Sequence, residues 1–522
     1  MKQIKKSRVL SQTTALLLAT SLISPFQIMA FSTNTLAASD QVHADAGQAL
    51  SGVVKEALER MKKLYPQLHD YPFVSVNDQA TDNVGNPVVE IFLSQDRDRK
   101  DAPHATVIVD SATGSVQGFQ IMSGKSMVNP PTYALAKEKT DVFLPKLLGS
   151  DILQHYKPSS QEGLLTSIEE AGSTLNLRSV LYERVIDGII VEGDALSLAV
   201  DADGGIAYLH RLAASKVDKL PDRNNLLSVQ QASAKFPQFM DLVYVERMTY
   251  KGALTQTEKS RPALLYATAI YASTMDAKTG KYFPTDMAGR MYSFSKGPVV
   301  KTNPGGKVLF AKNEQEAANL LTREFGISLK GMVYAPHAAT PAPGRKSYIW
   351  ESATARIELE TRNNQLIGFE TSLRSTGSQP KPKISEQQAA KMALPVLQTY
   401  LQKDVKELLP SSQDVHISKQ KYPIVTFGFS KVHSGIPVAD RNYSVSINLE
   451  TGKVAGIHGD FDQKPVPLPP ANKRISPEQA AANFLKAHPL ELRLIKQTYV
   501  YRPQIKQGDQ FVDAMTGQVL TP

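Results

Sequence analysis

The sequence predicts an α+β fold: tandem small modules, each a helix packed on an antiparallel β-meander, in two duplicated three-module units. Three observations predict it. The element Asp-x-x-Thr-Gly and its relatives occur six times: "DSATG" from Asp110, "DADGG" from Asp201, "DAKTG" from Asp276, "ETRNN" from Glu360, "NLETG" from Asn448 and "DAMTG" from Asp513. The first three map in order onto the last three, at separations of 250, 247 and 237 residues. The flanks agree. "ATVIVDSATGSVQGF" (105–119) aligns without a gap with "ARIELETRNNQLIGF" (355–369), "RVIDGIIV" (184–191) with "KVHSGIPV" (431–438), and "SVQQASAKF" (228–236) with "SPEQAAANF" (476–484). Self-similarity of this kind marks a repeat architecture.

The chain opens on Lys2, Lys5, Lys6 and Arg8, followed by the apolar "TALLLATSLI" (14–23) and small-residue sites either around Ala30 or at "TLAAS" (35–39). This order reads as a secretory signal peptide over 1–38, with a retained anchor as the alternative. The apolar run is short for a membrane span, which takes roughly 20 residues. No second apolar run is long enough, so no transmembrane segment is expected in the mature chain.

Modules are then placed at 48–128, 129–222 and 223–300, and again at 308–379, 380–466 and 467–522. Proline-rich connectors separate the pieces: "NPPT" at Asn129, "PAPG" at Pro341, "QPKPK" at Gln379 and "KPVPLPP" at Lys464. Helices open the modules. Ser476 is set as N-cap, with Pro477 at the first helical position, Gln479 closing a capping box and Ile475 as hydrophobic staple. Ser385 with Gln388 and Ile384 repeats the arrangement, as do Asn313 with Glu316 and Ser228 with Gln231.

Hairpins close the modules. Val107, Val109 and Val116, with their counterparts Ile357, Leu359 and Leu366, alternate with more polar neighbours at the period of a half-buried strand. Asp accepts bonds from the N–H groups ahead of it, and Gly supplies the positive φ that a short bulged loop needs. The structural turn residues are therefore Asp110, Gly114, Asp201, Gly205, Asp276, Gly280, Asn448, Gly452, Asp513 and Gly517. Asn364 stands in the Gly position of the fourth copy and tolerates the same left-handed conformation.

Composition narrows function. Hydrophobic residues at 42% and charged residues at 21% fit a folded protein of several domains. Cysteine is absent, which excludes disulfides, thiolate metal sites, cysteine nucleophiles and a lipoprotein anchor. The formal charge of +9 falls to +5 once the four basic residues of 1–38 are removed, and no dense basic block with interleaved aromatics points to nucleic acid.

No constellation of catalytic, cofactor-binding or metal-ligating residues emerges. His104, His210, His337, His416, His433, His458 and His488 have no ligand spacing and read as surface or loop residues. "DADGG" resembles the start of a calcium loop, but Leu212 holds the twelfth position where a bidentate Glu is needed. "DRDRKD" (96–101) reads as a solvated hairpin tip. Glu169 and Glu170 in "SIEEAG" read as an acidic turn, and Trp350 as a half-buried core residue. No Gly-x-Ser-x-Gly elbow is present, and "NPGGK" from Asn303 lacks the earlier Gly and the following Ser/Thr of a phosphate loop.

The "ISxEQAA" helix start, the "GIxV" strand and the closing "VDAxTGxV" hairpin, in fixed order and twice, resemble the YcdB/YcdC repeat family of Gram-positive bacteria, a group related to the PepSY module. The resemblance spans nearly all of the mature chain. It implies small α+β modules and an extracellular or envelope location. PepSY modules occur in propeptides of secreted metalloproteases, as inhibitors and folding aids. The family offers no catalytic residue set to carry over. This chain departs from the propeptide arrangement, because it ends at Pro522 with no protease domain after the last module. It also carries no surface-layer repeat and no sorting signal.

The expected function is a secreted or envelope-associated, non-enzymatic protein that binds other proteins, a secreted protease among them, or wall components. A structural protein bound to wall polymer is the second reading, and an enzyme with an unrecognised site the third. The sequence names no cofactor and no nucleic acid partner.

Overall fold

The computed structural model describes residues 50–520 apart from 83–84, 97–101, 123–128, 160–162, 164, 171–172, 214–216, 218, 249–260, 269–273, 285–297, 336–343, 374–380, 411–422, 463 and 506–510. The segment read as a signal peptide lies outside the described residues. So do His337, His416 and all of "DRDRKD" except Asp96.

The helix starts after Ser228, Asn313, Ser385 and Ser476 fall where capping chemistry places them. The chain runs α1 (Gly52–Leu64), a 3-10 turn (Pro66–Asp70), then the meander β1 (Phe73–Thr81), β2 (Pro87–Ser94), β3 (His104–Asp110) and β4 (Val116–Met122). Next come α2 (Tyr133–Leu148), α3 (Ile152–His155), β5 (Tyr156–Pro158), β6 (Leu165–Glu170), β7 (Ser173–Ile186), β8 (Ile189–Val200) and β9 (Ile206–Ala213). Helix α4 (Val229–Lys235) continues as a 3-10 turn (Phe236–Phe239) into β10 (Asp241–Met248), β11 (Arg261–Ala267) and β12 (Met275–Asp276).

The second half follows with β13 (Val300–Lys301), α5 (Glu314–Phe325), β14 (Val333–Tyr334), β15 (Arg345–Glu351), β16 (Ala355–Arg362) and β17 (Gln365–Leu373). Then come α6 (Glu386–Tyr400), β18 (Glu407–Pro410), β19 (Ile424–His433), β20 (Ile436–Asn448) and β21 (Lys453–Gly459). Last are a 3-10 turn (Ala471–Lys473), α7 (Pro477–Ala487), β22 (Leu490–Ile495), β23 (Thr498–Pro503), β24 (Phe511–Asp513) and β25 (Val519–Leu520). The protein is thus a mixed α+β fold with more strand than helix. Ser228 with Gln231 and Ser385 with Gln388 form reciprocal capping boxes, and Ser476 and Asn313 accept from the N–H of Gln479 and Glu316. Each cap satisfies an N–H that the first helical turn leaves unpaired.

Two sheets carry the fold. The first, of twelve strands, runs β1-β2-β3-β4-β9-β8-β22-β23-β12, with β7 beside β8 and β5 and β6 on β7. The second, of thirteen, runs β14-β15-β16-β17-β21-β20-β10-β11-β24-β25, with β19 beside β20 and carrying β18, which pairs with β13. One apolar core lies under α1 and α2 and includes Met61, Phe119 and Tyr182; another lies under α5 and α6 and includes Trp350, Phe369 and Leu397. Trp350 is 4% exposed, more deeply buried than the half-buried position its strand pattern predicts.

A third core sits between α4 and α7 and draws on both halves of the chain. Phe236 and Phe484, aligned in the sequence, stack on each other there at 5.7 Å between ring centres and 10° between planes. Each fully buried Phe of this kind contributes about 1.5–3 kcal/mol.

The strands around this core depart from the expectation that each module folds on its own meander. β12 pairs with β23 (Met275↔Tyr501, Asp276↔Val500), and β24 pairs with β11 (Leu265↔Asp513, Tyr266↔Val512, Ala267↔Phe511). Segment 223–300 therefore completes its strands with segment 467–522, and the reverse. Hydrogen bonds cross reciprocally as well: the Tyr266 hydroxyl donates to the Ile475 carbonyl, 2.8 Å, and the Tyr501 hydroxyl to the Leu227 carbonyl, 2.7 Å. The two segments carry the same strand pattern, so local sequence does not choose between the partners.

Candidate functional site

The recurring turn is the first feature to place. Asp110 Oδ1 accepts from the N–H of Ala112 (3.1 Å) and Thr113 (2.7 Å), and from the Thr113 hydroxyl (2.8 Å). Asp276 does the same with Lys278 (3.0 Å) and Thr279 (2.7 and 2.9 Å). Asp513 accepts from Met515 and Thr516, both at 2.8 Å, and Asn448 from Glu450 (2.9 Å) and Thr451 (3.1 Å). Gly114, Gly280, Gly452 and Gly517 have φ of 67°, 72°, 69° and 75°. These are left-handed values that favour glycine.

Two copies differ from the expectation. In "DADGG" the positive φ, 82°, falls on Gly204 and not on Gly205, because this loop closes one residue earlier: the Gly204 N–H meets the Asp201 carbonyl at 3.1 Å. Gly205 instead donates its N–H to Asp201 Oδ1, 2.8 Å. In "ETRNN" both Asn363 (52°) and Asn364 (65°) are left-handed. A two-residue loop then suffices, strand β16 extends to Arg362, and Glu360 sits in the strand opposite Gly368 with no turn role.

The turns are used inside the protein. The residue before the helix N-cap donates its N–H to the carbonyl just after the turn's first residue: Leu227 to Ala277 and Ile475 to Ala514, both 2.8 Å, and Ile384 to Leu449, 3.1 Å. Side chains on the helix side take the glycine carbonyls. Arg60 donates to Gly114 (3.0 Å), Gln238 to Gly280 (2.7 Å) and Asn483 to Gly517 (2.8 Å). The turn is a docking knob that fixes the start of a helix on its sheet.

Other sequence candidates are also absorbed by structure. In "NPGGK" the N–H groups of Gly305, Gly306 and Lys307 go to the carbonyls of Gln398, Leu401 and Thr399, closing the C-terminal turn of α6 rather than cradling an anion. His433 stands edge-on to Tyr244 at 5.6 Å, and His488 lies 4.9 Å from Phe484. His210 faces Gly118, and His458 faces Gly368, at aligned positions of the two sheets. Burial holds both imidazoles below the usual histidine range; at His458 the nearby Glu360 and Glu358 offset part of that shift. Glu169 and Glu170 fall on β6, paired with Thr174 and Ser173, so they are strand residues and not a turn. Among the described residues no group of three His, Asp or Glu side chains is placed to hold a metal ion, and no helix is long and apolar enough to cross a membrane.

Sequence reasoning missed the buried charges. Glu246 on β10 and Arg441 on β20 are each 1% exposed, and Lys431 on β19 is 5% exposed. Arg441 grips Glu246 through Nε (2.7 Å) and Nη2 (2.5 Å), and Lys431 Nζ reaches Glu246 at 3.1 Å and Asp404 at 2.7 Å. Asp440 accepts the N–H groups of Glu246 and Arg247, both at 2.9 Å. On the other sheet Arg493 of β22 donates to Glu183 of β7 at 2.7 Å and pairs with Glu491, while Arg502 of β23 pairs with Glu192 of β8. Asp194, 3% exposed, takes Arg184 at 2.9 Å and the Tyr156 hydroxyl at 2.7 Å. These groups neutralise each other in place, and their chemistry is that of a joint. Charged residues inside otherwise apolar strand patterns ("LVYVER", "GIPVADR") were the available signal.

No protein-family model matches the chain, and no curated protein matches it. Among solved structures, the Bacillus megaterium YpeB C-terminal domain is similar at a TM-score of 0.28 and 11% identity, over 44% of this chain and 94% of that one.

Proposed function

We propose that the chain is a secreted, non-enzymatic binding protein of two duplicated units of PepSY-like modules, related to the YcdB/YcdC repeats. It acts on proteins or envelope components of a Gram-positive cell, and inhibits a secreted protease in trans. Aligned residues in matched places support the duplication: Phe236 against Phe484, His210 over Gly118 as His458 over Gly368, and the reciprocal tyrosine bonds.

The observation that carries the binding reading is the outer edge of the first sheet. Strand β1 is nine residues long, largely exposed, and among the described strands pairs only with β2. Its outer N–H and C=O groups form a template onto which an extended segment of a partner adds as a further strand. A protease held by such an edge has its cleft or a surface strand engaged with no chemistry on this chain. Purified mature protein is expected to retain a secreted metalloprotease from culture supernatant and to slow it. Proline at Val76, in the middle of β1, should weaken both effects. Retention and inhibition that ignore the β1 substitution would remove this surface from the reading, and no captured protease would remove the inhibitor.

The net charge of +5 outside residues 1–38 favours a second reading, attachment to anionic wall polymer. Co-sedimentation with purified wall that weakens as salt rises would support it.

A further inference from the structure

The two sheets each accept a strand from the opposite half of the chain at the same aligned position. Leu494 of β22 lies parallel to Val191 of β8, and Tyr244 of β10 lies parallel to Val438 of β20. Val191 and Val438 align in the "GIIV" and "GIPV" segments, so both edges offer the same docking geometry. Backbone alone would let segment 241–267 settle on β8 in its own half, and 490–503 settle on β20 in its own half. Neither does.

We infer that the buried and half-buried ion pairs are an assembly code, of opposite polarity at the two junctions, that makes each edge a docking site for the third segment of the other half. At the first junction the sheet is acidic, with Glu183 and Glu192, and the incoming strands are basic, with Arg493 and Arg502. At the second the sheet is basic, with Lys431 and Arg441, and the incoming strand is acidic, with Glu246. Exchanging the partners destroys both matches.

The aligned positions show how. The registers Glu183↔Ala195 and Ser430↔Asn442 place Ser430 where Glu183 stands, and Ala439 where Glu192 stands. Segment 490–503 on β20 would set Arg493 and Arg502 beside Lys431 and Arg441 without Glu183 and Glu192, leaving Arg493 only Glu491 of its own strand. Segment 241–248 on β8 would set Glu246 against Asp194 in place of Arg441, and against Gly193 in place of Asp440. Arg184, which stands where Lys431 does, already holds Asp194 at 2.9 Å. A buried charge stripped of its partner is strongly destabilising, whereas an apolar replacement of the whole pair often is not. The charges therefore act on the choice of partner more than on total stability. A single buried polar residue fixes register in coiled coils by the same logic.

The full chain is suited to a direct test, because it has no cysteine. Tyr244→Cys with Val438→Cys joins register partners on β10 and β20, so their cross-link reports docking on the edge of the other half. Denatured chains with native charges should refold to nearly complete cross-linking. Adding Glu246→Met, Lys431→Met and Arg441→Met removes the code at the second junction while keeping the volume. Refolded chains should retain their helix and strand content, yet the cross-linked fraction should fall severalfold, with intermolecular products in its place. A milder chain with Glu183→Gln and Glu192→Gln keeps Glu491 beside Arg493, so it folds, and its cross-linked fraction should also fall. Undiminished cross-linking in the refolded variants would overturn the inference and leave the ion pairs as stabilising contacts only.

Discussion

At the scale of single residues, the repeated turn shows why glycine and aspartate recur. A Cβ on Gly517 would sit 2.7 Å from Asn483 Nδ2, at a φ of +75°, and would break the bond that Asn483 makes to the Gly517 carbonyl. Gly326, at the C-terminus of α5, has a similar φ of +66° but open space around it. Gly326→Ala should cost only the backbone strain, about 1 kcal/mol, and Gly517→Ala clearly more. Urea midpoints at unchanged slope measure both, and equal shifts would remove the docking role of the turn. The histidines give a pH prediction. Burial lowers His458 and His210 from the ordinary value of 6.5, so the folded state disfavours their charged form. A depressed histidine contributes stability that is present above pH 6.5 and lost as pH falls through its folded value. Glu370, raised by burial and then by Glu358, acts in the opposite sense, losing its contribution as pH rises through its raised value. The difference between wild type and His458→Gln isolates the imidazole. The wild type should lose more stability than His458→Gln between pH 7 and pH 5, and parallel profiles would contradict this.

At the scale of elements, the joint between helix start and closing turn is the unit that the sequence writes repeatedly. Ser476 caps α7, Ile475 donates to Ala514, and Asp513 holds the turn, all within one contact. Ser476→Ala and Asp513→Ala should each cost about 1 kcal/mol. Together they should depart from additivity, by 0.5 kcal/mol or more in size, because they share that contact. Ser385→Ala, which caps the separate helix α6, should add simply to Asp513→Ala; coupling of equal size in both pairs would refute a local joint. The caps and turns of these joints were legible in the sequence because both are local chemistry; the bonds that join them, such as Ile475 to Ala514, were not. The loops of "DADGG" and "ETRNN" were less legible. Whether Gly204 or Gly205, or one Asn or two, takes the left-handed position depends on where the hairpin register closes, which is not a local property. Glu246 and Arg441 were legible only as charges inside otherwise apolar strand patterns; their burial was not, since only the partner strand covers them.

At the scale of the whole molecule, the pairing of β11 with β24 makes the end of the chain part of a sheet that contains the end of its first half. Strand β24 supplies three register partners to β11, Leu265, Tyr266 and Ala267, and β25 closes the edge beyond it. Strand β23 is held without them, between β22 and β12. Deleting residues 511–522 should therefore bare β11, more than 240 residues earlier in the chain. Amide exchange should quicken at Tyr266, whose N–H faces β24, while Val500 and Tyr501 keep their protection. A chain of independent tandem modules predicts the reverse, since the deletion would then open the meander of its own module at β23. Hydrogen exchange resolved to single strands separates the two outcomes. Loss of protection at β23 with β11 unchanged would show that the two halves do not exchange strands in solution.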